Sequence, residues 1–398
     1  MTSLLAHVGR LFTAGKPVGE DVDVLLGGGS ILAIGRSGTL PTAVDAETFD
    51  CHGALLTAGL IDAHTHPLYA RARLAEISER SAGASYAEIA ARGGGIRATV
   101  RDTREASWDE LELGLRNRLR SWLESGTTTV ETKTGYWLER EGELRAVRLL
   151  HSLSAEPLLP ALVVSFLGAH ALPEEFDGRR PEFVEEVSSW SGDAHREGAR
   201  FADVFCDEGA FTVVESAQVL RAARDSGLEL RLHADELELT GGTELAVELG
   251  AVSADHLLRI GAAQIAALAQ SSTVATLCPV TALAMGRTPP ARDLLQAGAR
   301  VALGSDHNPG TSGATSMSMV VWLAIAELGL SVEQALTAAT LGGALSLGLA
   351  DRGQIVAGKS ADLVLWDTDH EGGFGWSPAL RPLQVWRAGR PSLAKPIS

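Results

Sequence analysis

Cysteine, tyrosine and methionine are scarce in this chain, with three, three and four residues among 398. The cysteines, Cys51, Cys206 and Cys278, lie far apart and form no CxxC pair, which excludes a disulfide framework and a zinc ribbon. A reducing cytoplasm is the setting this predicts. Long apolar runs are missing too: nothing approaches the ~20 residues that span a bilayer. The opening MTSLLAHVGRLFTAG lacks the basic and apolar regions of a secretory signal. Positive charge is short, 34 Lys and Arg against 50 Asp and Glu, giving a formal net charge of −16. A field of that sign repels nucleic acid and anionic membranes, so a small molecule is the expected partner.

Glycine is plentiful, at 43 residues, and 45% of the chain is hydrophobic, enough at this length for a large core. From Asp21 the stretch DVDVLLGGGSILAIG places two short apolar runs around Gly27, Gly28 and Gly29, the pattern of a β-hairpin with a glycine turn. No phosphate-loop lysine follows it. After Ala58, eight apolar runs alternate with amphipathic helical stretches: Gly59–His66, Gly126–Lys133, Ala161–Phe166, Ala202–Cys206, Leu228–His233, Val252–His256, Thr273–Cys278 and Ala299–Ser305. Helices such as ESAQVLRAARDSG and PARDLLQAG have glycine stops at Gly227 and Gly298. The count and size predict an α/β fold, a (β/α)8 barrel over 58–350, with a doubly wound open sheet as the alternative. Residues 1–57 and 351–398 are strand-like without long helices, and predict a small β-sandwich domain formed from both chain termini.

GLIDAHTHPLYA sets two of the eleven histidines one residue apart at the end of the first barrel run. In a strand, residues i and i+2 share a face ~6.5–7 Å apart. His64 and His66 therefore point one way and Thr65 the other. Two such imidazoles can meet one metal ion at ~2.0–2.1 Å from each nitrogen, although an HxH pair alone is also common as packing. The other strand ends decide the matter, because LRLHADE ends near His233, SADH at His256 and ALGSDHNPG near Asp306. Each would deliver a histidine or carboxylate to the open face of the barrel. His307 would face away and support its neighbours. Nitrogen from His64, His66 and His233 with oxygen from Asp306 suits one Zn²⁺ or Fe²⁺/Fe³⁺ ion per chain and not Mg²⁺ or Ca²⁺. Such an ion acidifies bound water, leaving Glu236 and His256 as acid–base candidates. Cys206 and Cys278 read as buried packing residues.

These strand ends resemble the amidohydrolase superfamily of metal-dependent hydrolases. The resemblance spans the barrel, through SYAEIAARGGGIRATVRDTREAS, GTTTVETKTGY, FLGAHALP, DVFCDEGAF, LHADE with AVSADHL, and SDHNPGTS, and is closest to one ring-opening branch. It implies hydrolysis of 4-imidazolone-5-propanoate to N-formimidoyl-L-glutamate, with His64, His66, His233 and Asp306 holding the metal. It implies that Glu236 holds or deprotonates water, that His256 assists at the oxyanion, and that Asp306 shares in catalysis. His170 would contact the ring, while Arg73, Tyr86, Tyr136 and Thr311 would bind the propionate. A planar guanidinium suits that carboxylate. Lys133, which some members carboxylate to bridge two metals, is expected here in an ion pair or substrate contact. Three departures touch the pocket wall: Arg71 competes with Arg73, Trp137 stands where glycine is common, and 278–287 is altered. A deaminase of a cyclic amidine or nucleobase is the rival enzyme, and a metal-containing binding protein the rival from another class. The family habit implies a homodimer.

Overall fold

The computed structural model describes residues 2–13, 16–40, 46–84, 88–89 and 92–392. Eight parallel strands follow one another around a barrel: β6 (Leu60–Asp62), β7 (Thr127–Lys133), β8 (Ala161–Ala169), β9 (Phe201–Cys206), β10 (Glu229–Ala234), β11 (Ser253–His256), β12 (Val274–Leu277) and β13 (Val301–Leu303). Each pairs with its sequence neighbour in parallel register. The seam between first and last strands closes through Ala63 N–H to Leu303 O (3.3 Å), Asp306 N–H to His64 O (2.9 Å) and His66 N–H to His307 O (2.7 Å). Every expected barrel strand is thus present, and the sheet is closed and not open.

Capping and periodicity explain the helices outside it. Ser107 and Glu110 form a reciprocal capping box that starts the helix Trp108–Glu124. Its Leu111, Leu115, Leu119 and Trp122, spaced three or four apart, lie buried on one face. Trp122 Nε1–H donates to Asp62 Oδ2 at 2.8 Å, tying helix to strand. Thr212 and Glu215 cap Val213–Asp225 in the same way, and its stop at Gly227 has φ of 93°.

The two chain ends share an eight-stranded mixed sheet: β1 (Thr2–Thr13), β2 (Lys16–Gly27), β3 (Ser30–Arg36), β4 (Glu47–Asp50), β5 (Leu55–Ala58), β14 (Leu363–Trp366), β15 (Pro382–Arg387) and β16 (Arg390–Pro391). The expected hairpin joins β2 to β3 through Gly28 and Gly29, both at positive φ. The ends meet where β5 runs antiparallel to β14, Leu55 opposite Trp366 and Ala58 opposite Leu363. Leu5, Val8, Val24, Leu56, Leu363 and Trp386 pack a core of their own beneath this sheet.

Candidate active site

His64 and His66 follow β6, His233 lies in β10, His256 ends β11 and Asp306 follows β13, so five strand-end side chains converge at the carboxyl face. All five are buried. His66 Nε2 lies 3.3 Å from both His64 Nε2 and His233 Nε2. Asp306 Oδ1 stands 3.6 Å from His64 Nε2 and 3.5 Å from His66 Nε2. The backbone is turned to achieve this: His256 and Asp306 have φ of 74° and 46°, a left-handed region that non-glycine residues avoid except where surroundings enforce it.

Hydrogen bonding fixes what these rings can do. His64 Nδ1 lies 2.6 Å from Asp255 Oδ2 and His233 Nδ1 3.1 Å from Asp203 Oδ1. A carboxylate accepts only, so each Nδ1 carries the proton and each Nε2 presents a lone pair inward. Burial, reinforced by neighbouring positive charge, holds His64 and His66 well below the ordinary imidazole pKa. Neutral rings with lone pairs 3.3 Å apart repel unless a cation lies between them. A tetrahedral ion ~2.0–2.1 Å from each nitrogen sets its ligands ~3.3–3.4 Å apart, and the observed spacing fits. His64, His66 and His233 are accordingly a group able to hold one metal ion.

Beneath the rings lies a buried ionic layer. Lys133 Nζ donates to Asp203 Oδ2 at 2.7 Å and Glu131 Oε1 at 2.8 Å, and Arg231 Nη2 to Asp255 Oδ2 at 3.0 Å. Burial lowers the Lys133 pKa, but Asp203 and Glu131 outweigh it and leave the ammonium above its ordinary value. A charged lysine engaged with two carboxylates is a structural ion pair. The bridging alternative has no support in this geometry.

Glu236 sits on a loop held by two carboxylates. Asp207 accepts the backbone N–H of Glu236, Leu237 and Glu238 at 2.7–3.0 Å. Asp235 accepts from Thr240 N–H at 2.8 Å and from Thr243 N–H at 2.9 Å. Burial, then the charges of Asp306 and Asp207, raises Glu236 well above the ordinary carboxyl pKa. Its Oε1 is 3.5 Å from His256 Nδ1. Burial also takes His256 down to about 3, so that ring is neutral.

His66, His233, Glu236, His256 and Asp306 line a cavity of about 70 Å³ together with Arg73, Tyr136, His170 and Thr311. A vestibule of about 1110 Å³ opens above it. Arg73 is positioned by Glu76, which accepts from Nε at 2.9 Å, and by Thr99 Oγ1, 2.5 Å from Nη1. Arg71 instead is 70% exposed and faces Asp102, so Arg73 is the arginine at the pocket. Tyr86 lies outside the described residues. Trp137 is buried against Trp108, rings parallel 4.7 Å apart, and is absent from the cavity wall. From 278–287, Met285 lines the cavity and Thr281 donates to Asp306 Oδ2 at 2.5 Å. His307 faces away, 2.9 Å from Tyr69 Oη. Sequence reasoning missed Asp203, Asp207, Asp235, Asp255 and Thr281. For the four aspartates the available signal was a carboxylate inside or just after an otherwise apolar strand; Thr281, in the helix Pro279–Ala284, gave none.

A closed barrel with three imidazoles and an aspartate at its carboxyl mouth defines a metal-dependent hydrolase. The chain belongs to the amidohydrolase family, whose sequence profile matches residues 55–391. Within it, the chain stands with the imidazolonepropionases. The protein of that name from Syntrophobacter fumaroxidans is 40% identical over 401 residues, covering 96% of this chain and 93% of the relative. That from Methylobacterium nodulans is 41% identical over 391 residues, covering 96% and 97%. Among solved structures, N-isopropylammelide isopropylaminohydrolase from Burkholderia multivorans superposes with a TM-score of 0.73 at 19% identity, covering 98% of this chain and 97% of that one, which shows the shared fold. No helix among the described residues is long and apolar enough to cross a membrane.

Proposed function

We propose that this enzyme hydrolyses 4-imidazolone-5-propanoate to N-formimidoyl-L-glutamate. The observation that carries the reading is a single small cavity with two chemically distinct sets of walls. One set comprises His66, His233 and Asp306 with Glu236 and His256, the other Arg73, Tyr136 and Thr311. The relatives' name supports the same substrate.

His64, His66, His233 and Asp306 would hold one divalent ion, Zn²⁺ or Fe²⁺, since nitrogen and oxygen donors accept both. When bound, the ion lowers the pKa of water towards about 7 and polarises a carbonyl oxygen. Arg73, fixed by Glu76 and Thr99, receives the propionate carboxylate, with the hydroxyls of Tyr136 and Thr311 as further donors. Tyr86 is assigned to the same task. His170 Nδ1 donates to Gly135 O at 3.0 Å, and burial lowers the ring's pKa to about 3. Its Nε2 therefore offers a lone pair to a ring N–H. Glu236 takes a proton from water as the oxygen adds to the ring carbonyl carbon, then passes it to the ring nitrogen as the C–N bond breaks. His256 donates to the developing oxyanion, and Asp306 helps position the water. A cytoplasmic homodimer completes the reading.

The test is turnover of imidazolonepropionate by pure protein of known metal content, before and after chelation. Activity that disappears on chelation and returns with Zn²⁺ or Fe²⁺ supports the proposal. Ammonia release from cyclic amidines or nucleobases, with no opening of imidazolonepropionate, replaces it with the deaminase.

A further inference from the structure

The metal-binding cluster accounts for His64, His66 and His233, but the same mouth holds a second convergence. Cys278 follows β12, between the ends of β11 and β13, and is 1% exposed. One ligand atom from each of His64, His256 and Cys278 lies within 4.8 Å of the others. Neither ring nitrogen of His256 makes a hydrogen bond among the described residues, although the side chain is only 3% exposed. The nearest carboxylate oxygen, on Glu236, stands 3.5 Å away. A buried imidazole left uncommitted beside a thiol is unusual, because desolvating a polar group without a partner costs ~1–3 kcal/mol.

We propose that Cys278 and His256 form a second, soft-cation locus, which a thiophilic divalent ion occupies beside the first ion and by occupying inhibits the enzyme. His64 already turns Nε2 towards His66 and His233, so it borders this locus and the two committed protein ligands are His256 and Cys278. A tetrahedral ion with nitrogen at ~2.0–2.1 Å and sulfur at ~2.3 Å sets them ~3.6 Å apart, and here the ligand atoms lie within 4.8 Å of each other. In the binding step the S–H bond breaks, its proton goes to solvent, and a sulfur–metal bond forms. Remaining positions are filled by water. Soft thiolate selects Zn²⁺ or Cd²⁺ over Mg²⁺ or Ca²⁺.

The electrostatics agree. Burial and the charges of Asp306, Asp255, Glu236 and Asp62 push the Cys278 thiol well above its ordinary pKa. A bare thiolate is therefore disfavoured, and Cys278 is a poor nucleophile until a cation replaces its proton. Inhibition follows because the ion removes His256 from the role proposed above; this part alone rests on that reading.

The test titrates Cd²⁺ into enzyme already carrying one ion, following thiolate-to-metal absorption in the ultraviolet, bound metal and turnover together. Wild type is expected to take a second equivalent, develop the absorption band and lose turnover in step with it. C278S should show no band, bind one ion and keep its turnover at the same Cd²⁺, while C206S behaves as wild type. C278A serves if the serine variant fails to fold. A wild-type titration with no band, a band that survives in both Cys278 variants, or equal inhibition without the thiol overturns the proposal. If no preparation opens imidazolonepropionate, the functional reading fails, and the band still decides whether the locus exists.

Discussion

Asp203 and Asp255 show how much of the proposed metal site lies in residues that would never touch the ion. Each fixes the tautomer of an imidazole, and each is held by a buried cation, Lys133 or Arg231. D203N removes the strong acceptor from His233 Nδ1 and is expected to weaken metal affinity ~10–100-fold. Competition against a calibrated chelator measures this without recourse to turnover. Arg73 makes the complementary prediction. Replacing it with methionine removes charge-assisted hydrogen bonds worth ~1.5–3 kcal/mol, so KM for imidazolonepropionate should rise roughly 10–150-fold with the smaller change in kcat. R71M, at an exposed position facing Asp102, should leave both near wild type. Steady-state kinetics of the pair settles which arginine reads the carboxylate.

At the scale of strands and loops, the seam between β6 and β13 is the critical element. A Cβ added at Gly304 would lie 2.7 Å from His64 Cβ and 3.0 Å from its backbone nitrogen. G304A should therefore displace His64, a ligand in the proposed site, lowering metal content at a given free ion concentration and lowering thermal stability; calorimetry of apo and loaded protein checks both. This seam was partly legible in the sequence. HTH and SDHNP announced the converging side chains because histidine and aspartate at strand ends interrupt apolar runs. Gly304 did not stand out, since what demands glycine there is a side chain 240 residues earlier in the chain. Asp203 and Asp255 were equally hard to assign, because a strand's alternation shows which residues share a face but not which ring each carboxylate meets. Asp207 and Asp235, which hold the Glu236 loop through backbone N–H groups, leave no periodic trace at all.

Across the whole molecule, several histidines are buried neutral. Burial lowers His170 and His256 to about 3 and His307 to about 4. Unfolded histidine titrates near ~6.5, so between that pH and the native values the unfolded chain binds more protons. Stability therefore rises with pH through this window and is lost as pH falls through it. Denaturant unfolding of chelated protein between about pH 6.5 and pH 4 should show the decline, as His170, His256 and His307, with the similarly lowered His64 and His66, take up protons on unfolding. Restoring the ion should stabilise by about 4.1 kcal/mol at a thousand times its dissociation constant, read as a shift in unfolding midpoint. The barrel was readable at this scale because its eight units are local and repeated. The pairing order of the terminal sheet was not, since it joins segments from opposite ends of the chain.

That joining fixes an order of events during synthesis. Leu55–Ala58 is made early, and the strand that covers it, Leu363–Trp366, emerges about 300 residues later, some 15–60 s at ~5–20 residues per second. Throughout that interval the edge of β5 that will face β14 stands bare, an invitation to pair with another nascent chain. Translation speed and chaperone supply, more than the durability of the finished fold, would then set how much usable protein a cell recovers.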